Sequence, residues 1–234
     1  QSLAQIRSEL LIPQAIMVVS AHWETQGTYV SVNPLPKTIH DFGRFDDRLF
    51  EIDYPAKGHP ELATEVAALG QDFHVQTDHR MGLDHGAWTV LRFMYPEADI
   101  PVFQLSLDYT KSASYHFELA KALRALRQKG VLVVGSGNLV HNLRILDWQN
   151  IEAQPFDWAV EFDALAKTKL DKRDFQALVH YQKLGALAQM AIPTPDHYLP
   201  LLYTLGLAEA NEPLRYLFEG LQYGSISMRC FRVG

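Results

Sequence analysis

Three short apolar runs constrain the fold of this chain more than any other feature. Residues 15–20 (AIMVVS), 102–107 (VFQLSL) and 131–135 (VLVVG) are rich in β-branched and apolar side chains and too short for membrane spans. Such runs read as strands covered on both faces, and the segments between them carry helical spacing. A helix is predicted over residues 60–70, with Pro60 fixing the first turn, Leu62, Val66 and Leu69 on one face, and Gly70 as its stop. Further helices are predicted over 86–95, ended by Pro96, and over 114–129, with Leu119, Leu123 and Leu126 aligned and Gly130 following. Another begins near Pro155 and is marked by Trp158, Phe162 and Leu165. Residues 28–41 read as strand, turn and loop, broken by Pro34 and Pro36. Thr194 has the character of an N-cap, with Pro195 at the first helical position, His197 in the first turn and Pro200 as an internal kink. Residues 225–233 alternate well enough for an antiparallel strand. This alternation of strand and helix predicts an α/β fold. The expected form is a single domain over residues 1–234, with a central, mostly parallel mixed sheet flanked by helices.

Composition narrows the chemistry. A formal net charge of −6 disfavours a polyanionic partner such as nucleic acid, and no apolar run reaches the roughly 20 residues that a membrane helix requires. Cys230 is the only cysteine, so neither an internal disulfide nor a thiolate-rich zinc site can form, and a cytoplasmic location follows as the expectation. The 234 residues include 10 histidines, and where these fall matters more than their number. His22 follows the first strand in SAHW, and His141 lies a few residues beyond the third strand in GSGNLVHN. Ligands in open α/β sheets bind beyond the carboxyl ends of strands, so these two histidines and His197 are candidates to converge on one crevice as ligands of Fe, Zn, Cu or Ni. Hydrogen-bonded structural histidines also occur at such places, and spacing alone leaves both readings open. His85 in DHGAW is a candidate proton donor or acceptor, with Asp84 as a possible orienting group; a capping turn is the alternative. His40 and Asp41 in TIHDFGRF read as a polar loop, and Phe42 and Phe45 are candidates for an aromatic wall beside a flat substrate, with core packing as the alternative. His59, His74, His79, His116 and His180 read as solvated. GSGN lacks the third glycine of a dinucleotide fingerprint and reads as a tight turn, and neither a Walker motif nor a GxSxG elbow occurs.

Seven strings occur in order along the chain: VVSAHWE, IHDFGRF, LFEIDYPAKGHPELA, LDHGAWTVLRFMYP, VVGSGNLVHNLR, TPDHYLPLLYTLG and EGLQYGSISMRCFRVG. Together they resemble the bacterial and plant DOPA-type extradiol dioxygenases, which are class III, LigB-like ring-cleaving enzymes. The resemblance implies a mononuclear non-haem metal, Fe(II) as the working ion, with Zn(II) able to occupy the site in purified protein. It implies His22 and His197 as ligands, His141 beside the metal as acid/base group or further ligand, and His85 facing substrate or oxygen. His40 and Phe42 stand as substrate-binding candidates, and the partners are a small aromatic diol and dioxygen. Family members carry one more metal-binding histidine, in an HGSP motif upstream of SAHW. No HGSP occurs here, and the expectation is a catalytic domain without that segment. On this reading a base removes the second catechol proton, and the product is a ring-opened semialdehyde. Two rivals use the same residues differently. A zinc hydrolase would turn over without oxygen, and a non-catalytic Memo-like interaction module would hold no stoichiometric metal.

Overall fold

The computed structural model describes residues 3–43 and 46–234. Phe45 lies outside them. The chain divides into two compact units, one running up to Lys111 and including Lys121–Ser136, the other comprising Ser112–Ala120 and Gly137–Gly234.

The first unit is built on a five-stranded sheet. Its strands are β1 (Ala15–Thr25), β2 (Tyr29–Ser31), β3 (Gln76–Asp78), β4 (Val102–Asp108) and β5 (Val131–Ser136), in the order β3-β2-β4-β1-β5. β1 pairs in parallel with both β4 and β5, β2 pairs in parallel with β3, and only the β2–β4 pairing is antiparallel. The sheet is therefore mixed and mostly parallel, and the three apolar runs form its centre and one edge. All seven residues of β4 are buried, as are Ala15–Ala21 of β1, which accounts for the absence of alternation in AIMVVS. The antiparallel β2–β4 contact is short, with one aligned pair, Val30 and Leu105. Serine hydroxyls extend it: Ser31 Oγ accepts the Gln104 backbone N–H at 2.8 Å, and Ser106 Oγ accepts that of Tyr29 at 2.8 Å. The two buried serines are tolerable here because each finds a partner.

Helices α1 (Leu3–Arg7), α2 (Pro60–Leu69) and α3 (His85–Met94) belong to this unit. α2 packs on β2, and α3 packs on β1 and against α1. α2 follows the predicted span, with Pro60 in its first turn and Gly70 as C-cap, and the His59 ring accepts the Leu62 N–H. The single helix expected over 114–129 is instead α4 (Ala113–Ala122) and α5 (Ala125–Gln128). At the break Arg124 N bonds Lys121 O and Leu126 N bonds Leu123 O, the tighter three-residue spacing replacing the α-helical one.

The second unit contains most of α4, together with α6 (Asp157–Asp171), α7 (Phe175–Val179), α8 (Ala186–Ala191) and α9 (Leu199–Leu207). α6 buries Ala159, Phe162, Ala166 and Leu170, while Trp158 and Leu165 lie beside that stripe, half-buried. α9 starts at Leu199 with Pro200 in its first turn, so residues 194–198 form a turn ahead of the helix, and Pro200 opens the helix where a kink was expected. Proline lacks the N–H that an interior position must donate, and the first turn needs none. The predicted C-terminal strand is also divided. β6 (Leu214–Phe218) pairs with β9 (Cys230–Val233), and β7 (Leu221–Gln222) pairs with β8 (Ile226–Ser227), both antiparallel. Buried Asp163 accepts from Ser227 Oγ and forms an ion pair with Arg229, tying this region to α6. Among the described residues no helix is long and apolar enough to cross a membrane.

Candidate metal and catalytic groups

His22 does not follow β1 but lies within it, on a bulge. β1 and β4 are in register at Val19 and Leu105 and again at Glu24 and Leu107, so residues 20–23 of β1 oppose Ser106 alone. The extra length lies where the continuous burial of β1 ends, with His22 exposed between buried Ala21 and buried Trp23. Bulges of this kind re-aim side chains at the ends of strands.

His85 stands 3.8 Å from His22, ring centroid to ring centroid, at a 40° tilt. It is the first residue of α3, and Asp41 orients it. One Asp41 oxygen accepts the His85 backbone N–H at 2.8 Å, and the other lies 3.0 Å from ring Nδ1. Burial pushes the Asp41 carboxyl up, but the hydrogen bonds from the His85 ring and backbone, with the His85 charge, outweigh it and hold the group below its ordinary value. Asp84, the neighbour expected to orient the ring, faces elsewhere. It caps α3 by accepting the Ala87 N–H at 3.0 Å and also accepts from Ser20 Oγ at 2.7 Å. Burial raises its carboxyl pKa. The capping reading of DHG therefore holds for Asp84, while the orienting role falls to Asp41, a residue 44 positions away.

His40 and Phe42 are close to this group. Phe42 meets the His85 ring edge-on at 5.5 Å, and His40, Phe42, Phe50 and Trp88 form one aromatic cluster. The His40 ring is tied by Nε2 to the Ile52 carbonyl at 2.9 Å, so this nitrogen is already engaged, and Phe42 is the clearer wall residue.

The second unit holds the other pair. His141 and His197 stack with centroids 3.5 Å apart and rings within 6° of parallel. The His141 backbone N–H donates to Ala191 O, and the Asn142 side chain donates to Met190 O, pinning the loop after LVHN to the end of α8. Burial holds the His141 imidazolium below the ordinary histidine value, against the opposing pull of the Asp196 charge. Asp196 Oδ2 lies 3.8 Å from His197 Nε2. His197 is positioned by the GSGN turn: the Asn138 N–H donates to His197 O at 2.8 Å, and Asn138 Oδ1 lies 3.1 Å from His197 Nδ1. The Asn138 amide donates to Ser227 O at 3.0 Å, which fixes which way it faces. His197 Nδ1 is thus the protonated nitrogen, leaving the lone pair on Nε2. Gly137 permits the close approach, because a Cβ there would sit 2.2 Å from His197 O.

Among the described residues two groups of nitrogen and oxygen donors result: His22, Asp41 and His85, and separately His141, Asp196 and His197. Within each, the ligand atoms lie within 4.8 Å of one another. Imidazole with carboxylate suits a divalent first-row metal, so these residues fit a mononuclear non-haem ion. In the sequence Asp41 read only as part of a polar loop, Asp196 was not singled out, and Asn138 read only as part of a tight turn. The signal for the first two was adjacency to a candidate histidine, and for Asn138 it was the glycines that precede it. His116, expected in solvent, is fully buried and lies 3.0 Å from the Tyr203 hydroxyl.

The family described as the catalytic LigB subunit of aromatic ring-opening dioxygenase matches residues 1–229. The 4,5-DOPA dioxygenase extradiol of Escherichia coli K12 is 45% identical over 228 residues, covering 95% of this chain and 83% of that protein. The protein of the same name from Beta vulgaris is 37% identical, covering 94% of this chain and 82% of its own length. The crystal structure of an uncharacterized protein from Escherichia coli K12 superposes with a TM-score of 0.87 at 40% identity, covering 99% of this chain and 91% of that one.

Proposed function

The chain belongs to the catalytic LigB family of aromatic ring-opening dioxygenases and is an extradiol ring-cleaving oxidoreductase; on that premise we propose that its substrate is a DOPA-like catechol and its metal Fe(II). Residues 1–234 work as one catalytic domain on this reading, in the cytoplasm. The reading is carried above all by the stacked pair of His141 and His197, with Asp196 beside them and Asn138 behind. This arrangement joins ligand atoms to a ring that burial holds in its neutral form.

His22 and His197 are proposed as metal ligands. The ion, when bound, supplies the Lewis acidity and the electron path that let dioxygen react with a closed-shell diol. Each residue then has a task that follows from its surroundings. Asn138 holds the His197 Nδ1 proton, so Nε2 is the nitrogen offered to the metal. His141 is the base for the second catechol proton: burial keeps its imidazole neutral at neutral pH, ready to accept at a ring nitrogen. His85, whose Nδ1 lies 3.0 Å from Asp41, meets the substrate through Nε2, placed to donate to an oxygen that gains negative charge. Phe42, edge-on to His85, offers a flat ring an apolar wall, with His40 behind it.

The test is oxygen uptake by protein loaded anaerobically with Fe(II), on addition of DOPA or of catechol. The expected result is uptake with both, faster with DOPA, accompanied by a yellow product and abolished by His197→Ala. Uptake with catechol alone would remove the DOPA-like substrate. Equal turnover without oxygen would overturn the ring-opening reading itself.

A further inference from the structure

Beyond those roles, we propose that Ser20 and Ser136 are positioning residues for ring opening: their hydroxyls clamp the first turn of α3 to the ends of β1 and β5 and so set the spacing of His22 and His85. The inference rests on the reading of His22 and His85 as working residues.

The two serines are register partners on adjacent parallel strands. Both reach the same turn of α3 from below: Ser20 Oγ donates to Asp84 Oδ1 at 2.7 Å, and Ser136 Oγ donates to the Gly86 carbonyl at 2.7 Å. Their acceptors, Asp84 and Gly86, bracket His85 in sequence. Ser20 also touches the other histidine, since its Oγ accepts the His22 backbone N–H at 3.2 Å, within the bulge. One hydroxyl therefore fixes the direction in which the bulge leaves the strand and the seat of the helix that carries His85. Gly86 completes the fit, for a Cβ there would lie 2.4 Å from Ser20 Oγ and 2.9 Å from His22 Cδ2.

Folding alone does not require this arrangement. Ser20 ends the apolar run AIMVV and is fully buried, where a hydroxyl is costly unless bonded. Asp84 is 1% exposed, and its Oδ2 is buried without a hydrogen-bond partner. A cap at the protein surface would hold the helix without burying a carboxylate. What the buried version adds is a rigid link between two imidazoles at 3.8 Å, on a strand and a helix, the kind of support a reacting geometry demands.

Ser20→Ala, Ser136→Ala, Ser136→Thr and His22→Ala test the clamp in the full chain. The readouts are kcat and KM for oxygen uptake, anaerobic Co(II) binding with its visible spectrum, and thermal melting. Each Ser→Ala variant is expected to lose about 10–100-fold in kcat, with KM little changed, together with an altered Co(II) spectrum while still folded. Ser136→Thr, which keeps the hydroxyl, is expected to restore both. Should Ser20→Ala not fold, Ser20→Cys preserves the shape with a weaker donor and is expected to show a smaller loss of the same kind. If His22→Ala loses metal and activity while the serine variants match the wild-type enzyme, the clamp is overturned and the functional reading stands. If His22→Ala itself matches the wild type, the functional reading falls and the clamp falls with it.

Discussion

Asn138→Ala separates support of a metal ligand from support of the fold. The substitution removes two hydrogen bonds, Oδ1 to His197 Nδ1 at 3.1 Å and Nδ2 to Ser227 O at 3.0 Å, and leaves the backbone bond to His197 O in place. At about 1 kcal/mol each, the stability loss is about 2 kcal/mol, which lowers the melting temperature of a chain this size by roughly 4–8 °C. Losing the orienting partner of a metal-ligating histidine weakens metal affinity by about 10–100-fold, or roughly 1.4–2.7 kcal/mol. Asn138→Asp moves the two quantities apart. Its carboxylate still accepts from Nδ1 and makes the ring more basic, yet it cannot donate to Ser227 O. The expected order of affinity is Asn138→Asp at or above wild type, with Asn138→Ala well below, while both variants melt lower than wild type. Metal titration against a competing chelator, with melting of the metal-free proteins alongside, measures both. Wild-type affinity in Asn138→Ala would refute the assignment of Asn138 as the group that orients His197.

Gly137→Ala places a Cβ 2.2 Å from His197 O, a backbone atom that cannot step aside. It is expected to lose more metal affinity than Asn138→Ala and to melt several degrees lower, read in the same two assays. His141 makes folding pH-dependent. Its folded pKa lies below the ordinary 6.5, so at higher pH both states are neutral and it contributes nothing. As pH falls through that value the unfolded chain takes up the proton first, and the folded state loses stability until the folded pKa is passed. Melting curves of His141→Gln are expected to show a smaller loss between about pH 7 and pH 5.5 than wild type; an equal or larger loss would contradict the shift. Tyr54→Phe removes the buried hydroxyl that donates to Tyr95 O at 2.9 Å. It is expected to cost about 1 kcal/mol in denaturant melts and to leave turnover unchanged.

Local features of the sequence disclosed much of this molecule. Apolar runs without alternation marked the interior strands, and Pro60 and Gly70 bounded a helix, because burial on two faces and φ restrictions act within a few residues. The histidines in SAHW, DHGAW, LVHN and PDHYLP were legible as candidates from their neighbouring residues, and the structure places His22 against His85 and His141 against His197. Features that depend on distant partners were not legible. The β1 bulge exists only relative to β4, and Asp41 meets His85 across a loop and a helix. Asn138 read as a turn residue because its acceptor and donor partners lie 59 and 89 positions on. Pro200 misled through its usual role as a breaker, since the turn that precedes it left it at the start of α9.

Ring opening by dioxygen is tested most directly by labelled-oxygen incorporation during a single turnover of the Fe(II)-loaded enzyme with DOPA. The expected result is a ring-opened product heavier than the substrate by one dioxygen, with label from the gas retained in its new carboxylate, and no such product from His22→Ala or His197→Ala. A product that takes its oxygen from water alone, or one formed unchanged by those variants, would contradict it.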